Sequence, residues 1–234
     1  AAQSSNAVSQ QFPIQDLLTN QLATLNLLNY CKEKGVRRFI FTSSMSVYGN
    51  PTTFPTPSST SPNPLTFYGI HKATSEDYLR ISQDLDWTIF RLYTTYGTGQ
   101  YLSNRKQGLI KIYLSYILEG KPIKIHGSLD RLRDVIHVDD VVAAIRKSLF
   151  RTETFEKIYN LGTGESHSIH HIINELLKAS GKEIDYPKII EQGDVGDPTK
   201  TQADISNTIK DLNWLPTITL REGIFKTTMG YKKT

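Results

Sequence analysis

The sequence has a single cysteine, Cys31, among its 234 residues. It can therefore form no internal disulfide, and this usage fits a reducing compartment such as the cytoplasm. No run of about 18 apolar residues is present, so no membrane-spanning helix is predicted. Three histidines cluster at positions 167, 170 and 171, but no acidic residue or cysteine stands near them at ligand spacing, and no metal site is predicted.

A nucleic-acid partner is not expected, although the net charge is +4. No block of five or more Lys and Arg residues occurs, and aromatic residues do not alternate with the basic ones. A phosphate-bearing small molecule suits a mild positive excess equally well.

The order of helices and strands indicates an α/β protein. A helix is predicted over 13–34, with Gly35 at its end, and a strand-forming run follows over 36–41. Five prolines between residues 50 and 66 make that stretch a loop. Further strands are predicted near 87–92, 123–125 and 158–161, with helices near 66–83, 106–119 and 168–180 and a mixed tail from residue 197.

This alternation predicts a Rossmann-like, doubly wound parallel sheet with a smaller C-terminal region. Residues 1–100 are assigned to a nucleotide-binding part. Residues 101–234 are assigned mainly to a substrate-binding part, with about 133–165 returning to the sheet.

Tyr68 and Lys72 are the main chemical signal. They lie four residues apart on a predicted helix and therefore point to one side. A phenol is a weak base near neutral pH, and a lysine ammonium held beside it is expected to lower its pKa. The alternative is a half-buried tyrosine next to a solvated lysine. Independently of this choice, His71 is expected to face solvent or the opening of a substrate cleft.

Ser44 strengthens the catalytic interpretation. It ends the predicted strand Phe39–Ser44, and open α/β sheets bind ligands beyond the carboxyl ends of their strands. A serine hydroxyl at that place could share the proton that Tyr68 removes.

These motifs together resemble the extended short-chain dehydrogenase/reductase family, in its NAD-dependent epimerase/dehydratase branch typified by UDP-glucose 4-epimerase. The matching segments are Ser43-Ser44-Met45-Ser46-Val47-Tyr48-Gly49, Tyr68-Gly69-Ile70-His71-Lys72, Asn20-Gln21-Leu22-Ala23-Thr24, Arg91-Leu92-Tyr93-Thr94-Thr95-Tyr96-Gly97, Arg133-Asp134, Tyr159-Asn160-Leu161-Gly162-Thr163-Gly164 and Gly193-Asp194 with Ala203-Asp204.

The resemblance implies an NAD-dependent nucleotide-sugar epimerase of the cytoplasm that acts as a homodimer, with NADP as a less favoured cofactor. It assigns catalysis to Ser44, Tyr68 and Lys72. It assigns cofactor binding to Ala2, Gln3, Asn20, Ser43, Tyr68, Lys72 and Leu92, and substrate binding to Ser44, Ser46, Thr94 and Arg133. For Arg133 the alternative is a surface ion pair with Asp134 or Asp130.

Three departures from the family pattern bear on the substrate and the cofactor. Thr94 replaces an asparagine, and Glu191 stands where an arginine is common, so that its charge is expected to repel a diphosphate. The sequence also lacks the Gly-x-x-Gly-x-x-Gly phosphate loop and the acidic residue that follows the second strand. It is therefore interpreted as a fragment or degraded copy whose own NAD binding is expected to be weak.

Several functions remain open within this resemblance. Met45 and Ser46 stand where sugar dehydratases carry Asp and Glu, which disfavours dehydration because no acid is present to protonate the leaving hydroxyl. Epimerase, NAD(P)H-dependent keto-sugar reductase and decarboxylase activities remain, as does a non-catalytic binding protein.

Overall fold

Helices and strands alternate along the chain. The computed structural model describes residues 2–83, 85–193 and 196–232. The helices are α1 (Asn6–Gln11), α2 (Pro13–Asp16), α3 (Ala23–Lys34), α4 (Phe67–Ile81), α5 (Leu109–Leu118), α6 (Val138–Ser148), α7 (Ile169–Ser180), α8 (Ser206–Leu212) and α9 (Leu220–Lys232). The strands are β1 (Arg38–Ser44), β2 (Asp86–Leu92), β3 (Thr94–Tyr96), β4 (Ile123–His126), β5 (Leu132–Arg133), β6 (Val135–His137), β7 (Lys157–Leu161), β8 (His167–Ser168) and β9 (Lys188–Glu191). A π-helical turn, Leu17–Leu22, joins α2 to α3, and 3-10 turns occupy Met45–Tyr48 and Thr152–Thr154.

A parallel sheet with the strand order β1–β2–β7 forms the centre of the fold. Ser44 is opposite Leu92, and Leu92 is opposite Leu161, so the three strands end at the same edge. Side chains that alternate along each strand pack against helices on both faces. Ile89 and Trp87 join Leu28 and Cys31 of α3 and Leu79 of α4.

The opposite face of the sheet packs on a second set of helices. Its buried members include Phe90, Tyr159 and Leu161 on the strands, Ala144 on α6 and Leu212 on α8. Helices on both faces make the sheet doubly wound, which confirms the predicted fold class.

The remaining elements pack into a second core away from the sheet. Buried residues of α5, β4 and α7, together with Ile224 of α9, form one apolar cluster. Strand β4 pairs with β9 in parallel, β3 pairs with β6 in parallel, and β5 pairs with β8 antiparallel. The tail from residue 197, which is predicted to be mixed, contains two helices, α8 and α9. Among the described residues, no helix is long and apolar enough to cross a membrane.

Candidate active site

Ser44 lies at the carboxyl end of β1, where the chain turns sharply. Its hydroxyl oxygen accepts a hydrogen bond from the backbone N–H of Ser46 at 3.2 Å and thereby caps the 3-10 turn that follows the strand. Ser44 is buried, and Ser46 is half-buried beside it with the two hydroxyl groups 3.2 Å apart. Both predicted substrate-contacting serines therefore lie at the edge where the parallel strands end.

Helix α4 is brought against this turn by the absence of a side chain at Gly69. A Cβ atom there would lie 2.6 Å from the carbonyl oxygen of Ser46 and 2.9 Å from Cβ of Pro64. Thr66 caps the helix, because its hydroxyl oxygen accepts from the Gly69 N–H at 3.1 Å. The close approach places Tyr68, in the first turn of α4, next to Ser44.

One buried region contains Tyr68, Lys72 and Ser44. Tyr68 is 7% exposed, and the nearby Ser44 side chain acts to lower the pKa of its phenol. Lys72 is 5% exposed; its ammonium donates to the carbonyl oxygen of Thr42 at 2.9 Å and lies 6.0 Å from the Tyr68 ring centroid. The structure thus brings the three predicted catalytic residues together. The alternative of a solvated Lys72 is wrong, because α4 covers the lysine against β1.

The expected direction of the Tyr68 pKa shift is not what the structure gives. Burial raises the pKa of Tyr68 to about 12; the Ser44 side chain acts to lower it, and the negative charge of Asp16 raises it further. Burial also lowers the pKa of Lys72 to about 8, against the opposing charges of Asp16 and Glu76. For Tyr68, removal from water outweighs the lowering effect of the Ser44 side chain.

Asp16 and His71 form a buried pair that sequence reasoning missed. The Nδ1 atom of His71 lies 2.6 Å from Oδ2 of Asp16, and both side chains are almost fully inaccessible to solvent. The expectation that His71 faces solvent or a cleft opening is therefore wrong. The sequence contains one indication that Asp16 points inward. It lies at a four-residue spacing from other residues that are buried, namely Asn20, Thr24 and Leu28.

The predicted cofactor residues near the start of the chain surround Asp16. Gln3 donates from Nε2 to Oδ1 of Asp16 at 2.6 Å, and Asn20 donates from Nδ2 to the same oxygen at 3.0 Å and to the carbonyl of Gln3 at 3.0 Å. Ala2 is exposed at the head of this segment. The side-chain oxygen of Asn20 is buried and has no hydrogen-bond partner among the described residues.

Ser43 and Leu92, two further predicted cofactor residues, make other contacts in this structure. The Ser43 hydroxyl donates to Oε1 of Glu76 at 2.5 Å, and Arg91 donates to both oxygens of the same carboxylate. Leu92 packs against the core on the α6 side of the sheet. Its neighbour Tyr93 instead lines a cavity of about 40 Å³ that also reaches Ser46.

Arg133 and a second arginine contact one carboxylate. Arg133 donates from Nη2 to Oδ1 of Asp197 at 2.7 Å, and Arg131 forms an ion pair with the other oxygen of Asp197. The alternative partners of Arg133, Asp134 and Asp130, are not its ion-pair partners here. Arg131 was not identified from the sequence. It lies two residues before Arg133, a spacing that places two side chains on the same face of an extended chain.

The predicted substrate residues do not all lie at one point. Asp197 lines both the cavity next to Ser46 and a second cavity of about 170 Å³ next to Arg131 and Lys124. Thr94 is half-buried on β3, and its backbone N–H donates to the carbonyl of Asp134 at 3.2 Å. Among the residues that the structure describes, no group of three or more potential ligands could hold a metal ion.

The predicted repulsion by Glu191 is reduced by its neighbours. Lys124 donates to Oε1 of Glu191 at 2.9 Å, and His126 lies 3.4 Å from Oε2. These contacts lower the pKa of Glu191, and Lys124 balances its charge. Asp194, which belongs to the Gly193-Asp194 motif, lies outside the described residues.

The chain's own residues fit the reactive end of a nicotinamide nucleotide. Asn20 holds a buried oxygen with no partner among the described residues, close to the Gln3 segment. Tyr68 and Lys72 lie at the edge of a doubly wound sheet where such ligands bind. These groups are suited to hydrogen-bond a ribose and to exchange a proton with a hydroxyl group next to it.

Comparison with known proteins gives one consistent answer. The sequence profile described as "NAD dependent epimerase/dehydratase family" matches residues 1–162. The chain belongs to the NAD-dependent epimerase/dehydratase family. This confirms the resemblance seen in the sequence motifs.

Individual relatives agree with this membership. The dTDP-4-dehydro-6-deoxyglucose reductase of Escherichia coli is 34% identical over 224 residues, which cover 91% of this chain and 67% of the relative. The structure of Thermotoga maritima UDP-glucose 4-epimerase with UDP-glucose superposes with a TM-score of 0.92 at 31% identity and covers 100% of this chain and 75% of that one. The Thermus thermophilus UDP-glucose 4-epimerase in complex with NAD has a TM-score of 0.89 at 30% identity, with 99% and 76% covered.

Proposed function

We propose that this family member is an NAD-dependent nucleotide-sugar epimerase that acts on a UDP-glucose-like substrate. The observation that carries the proposal is that Ser44, Tyr68 and Lys72 are buried close together at the carboxyl end of β1. The likeness to two UDP-glucose 4-epimerases over nearly the whole chain supports the substrate class.

In this mechanism Tyr68 is the base. Its phenolate oxygen takes the proton of a sugar hydroxyl as the carbon–oxygen bond becomes a carbonyl, and Ser44 donates a hydrogen bond to the same oxygen of the sugar. Bound NAD supplies the hydride acceptor and later the donor, and its positively charged ring would favour the phenolate. Tyr68 then returns the proton after the keto-sugar has turned its other face to the site. Lys72 would hold the cofactor ribose and would keep positive charge beside the phenol.

The test is turnover by the intact protein. We expect conversion of UDP-glucose to its C4 epimer, with a loss of about 100-fold or more in kcat for Tyr68→Phe. Tyr101→Phe is the control, because Tyr101 is 85% exposed. Unchanged turnover in Tyr68→Phe would remove Tyr68 from the mechanism.

A keto-sugar reductase is the second candidate, because the Escherichia coli reductase is 34% identical over 91% of this chain. A reductase consumes one NAD(P)H for each sugar, whereas an epimerase returns its hydride and shows no net cofactor oxidation. Measuring both the sugar product and NAD(P)H absorbance distinguishes the two.

Substrate binding is assigned to Ser46 and Arg133, together with Thr94. Arg133 and Arg131 present two guanidinium groups to a single carboxylate, which leaves positive charge for a diphosphate. Bidentate guanidinium contacts suit phosphate oxygens. The assignment of residues 1–100 to the nucleotide and 101–234 mainly to the substrate is part of the same proposal, and the pairing of β7 with β2 supports the return of 133–165 to the sheet.

The active form is proposed to be a homodimer in the cytoplasm. Apolar side chains lie exposed on the neighbouring α2–π-turn segment and α4, namely Ile14, Leu18, Leu22, Phe67 and Ile70. A face of this kind favours association with a second copy. The buried, unpaired Cys31 fits a reducing compartment.

A further inference from the structure

A buried ion pair lies one helical turn from Lys72 and takes no part in the mechanism above. Glu76 of α4 is fully buried, and Arg91 of β2 is 1% exposed. Arg91 donates from Nε to Oε1 of Glu76 at 3.0 Å and from Nη2 to Oε2 at 2.6 Å. Apolar residues of similar volume often replace such a pair without loss of stability. Stability alone therefore does not account for it, and its contacts indicate what it holds in place.

Glu76 fixes α4 against the end of β1. Tyr68, Lys72 and Glu76 follow one another at four-residue spacing and therefore share one face of the helix. The Lys72 ammonium donates to the Thr42 carbonyl at 2.9 Å, and the hydroxyl of the next residue, Ser43, donates to Glu76 at 2.5 Å. The proposed catalytic serine is the residue that follows. Two successive residues before it are thus bonded to the helix that carries the proposed base.

Arg91 connects the same carboxylate to two further walls of the site. Its Nη1 atom donates to the carbonyl oxygen of Ser58 at 3.0 Å, in the loop that spans residues 50–66. Its guanidinium carbon lies 4.7 Å from the ring centroid of Tyr48, in the 3-10 turn that follows Ser44. The loop and the turn both line the cavity next to Ser46. Because the guanidinium fork is planar and rigid, one side chain fixes the directions of these contacts.

We propose that Glu76 and Arg91 are positioning residues for the reaction. They hold α4 on the end of β1, so that Tyr68 stays within reach of the Ser44 hydroxyl and of the sugar proton that it removes. A base acts only from a well-defined distance, and a small misplacement lowers the rate. Both side chains of the pair are buried and contact no substrate, so the larger effect is expected on kcat. The kinetic part of this proposal rests on the proposed function.

Two variants separate geometry from charge and from stability. In Glu76→Leu/Arg91→Met, two apolar side chains of similar volume replace the ion pair, a change that often preserves stability. Arg91→Lys keeps the positive charge but loses the planar fork. Glu175→Leu/Lys178→Met is the matched control, because it removes an ion pair on α7, outside the site, in which Nζ and Oε1 are 2.7 Å apart.

The first readout is steady-state kinetics of the intact enzyme at several pH values. Glu76→Leu/Arg91→Met and Arg91→Lys are both expected to lower kcat by about 10-fold or more at every pH, with KM changed by less than about 3-fold. The α7 control is expected to leave both constants unchanged. Full kcat in either site variant would overturn the proposal. Activity that returns at another pH would also overturn it, because loss of a charge near Lys72 would then be the cause.

The second readout needs no activity and separates this proposal from failure of the proposed function. Amide hydrogen exchange is measured residue by residue in α4 and, as an internal reference, in α6. In both site variants the α4 amides are expected to exchange about 10-fold faster than in the unmodified protein, whereas the α6 amides keep their rates. Unchanged exchange in α4, or equal acceleration in both helices, would overturn the proposal whether or not the enzyme turns over. Faster exchange in α4 with unchanged kcat would show a purely structural pair and would overturn it too.

Discussion

Lys72 is an ammonium group held inside the protein at a cost in stability. Burial lowers its pKa to about 8, whereas a lysine in an unfolded chain titrates near 10.4. Its fixed contacts are the Thr42 carbonyl, the Phe41 ring at 4.7 Å and the Tyr68 ring. Because these contacts do not replace the hydration that the ammonium loses on burial, its pKa stays low. We attribute the presence of this destabilising charge to the role proposed for Lys72 beside Tyr68.

Lys72→Met is therefore expected to stabilise the protein at pH 7 by about 1–3 kcal/mol while abolishing activity. Because the folded-state pKa is lowered, unfolding takes up a proton between about pH 8 and pH 10, and the stability of the unmodified protein rises with pH across that range. The advantage of the variant should disappear as pH approaches 10. Urea unfolding at several pH values measures this.

Lys182→Met provides the comparison for that experiment. Lys182 is exposed next to the end of α7, so its replacement should change stability little and independently of pH. A Lys72→Met protein that is less stable than the unmodified one at pH 7 would contradict the view that the buried charge is destabilising.

At the scale of elements, Asp134 joins three separate segments. Its Oδ1 accepts from the N–H and hydroxyl groups of Thr163, and its Oδ2 accepts from the N–H groups of Gly164 and Ala203, all within 3.0 Å. A Cβ atom at Gly162 would lie 2.7 Å from Oδ2. One buried carboxylate thus connects β5 and β6 to the end of β7 and to the segment before α8.

Asp134→Asn is expected to destabilise the protein by about 2–4 kcal/mol. The new amide group would direct N–H donors at backbone N–H donors that no longer have an acceptor. Asp130→Asn, at an exposed position nearby, should change stability by less than about 0.5 kcal/mol. Equal stability of the two variants in urea would show that the Asp134 network does not hold these segments.

Elements with strong local signals were predictable from the sequence. Gly35 adopts a left-handed φ of +65° at the end of α3, and the prolines confine residues 50–66 to a loop. The strand predicted to begin near residue 36 instead begins at Arg38, where pairing with Asp86 of β2 starts, and it ends at Ser44 as predicted. Such pairing depends on residues far away in the chain, which local patterns do not contain.

The chemistry of the site was predictable only in part, for the same reason. The spacing of Tyr68 and Lys72 and the strand end at Ser44 were visible in the sequence. The Asp16–His71 pair joins residues 55 positions apart, and the net pKa shift of Tyr68 depends on how completely α4 is covered. Neither could be read from a motif.

A variant of Arg131, the residue before β5, tests whether this arginine and Arg133 bind the substrate diphosphate. Its side chain is 11% exposed, and it shares Asp197 with Arg133. Arg131→Gln is expected to raise KM for the nucleotide sugar by about 10-fold with little change in kcat, since it removes charge that binds ground state and transition state alike. Steady-state kinetics measures this. Arg80→Gln, on the exposed side of α4, is the control, and an unchanged KM in Arg131→Gln would exclude it from phosphate binding.

At the scale of the whole molecule, the exposed apolar side chains are unevenly distributed. On the α2–π-turn segment and α4, Ile14 is 70% exposed, Leu18 50% and Ile70 44%. These elements also carry the candidate site on their buried side, through Asp16, Tyr68 and Lys72. Association through this face would therefore hold α4, the helix that carries the proposed base Tyr68, in a fixed position.

Ile70→Glu is expected to convert the proposed dimer to a monomer, because a carboxylate in the centre of an apolar interface stays unpaired when buried. Analytical ultracentrifugation of the intact protein measures the molecular mass. Val142→Glu is the matched control, since Val142 is 47% exposed near the middle of α6, a helix outside the proposed interface. A monomeric unmodified protein, or an Ile70→Glu dimer as stable as the control, would exclude this face as the interface. If the Ile70→Glu monomer also lost turnover while remaining folded, the dimer contact would be needed to hold α4 in its active position.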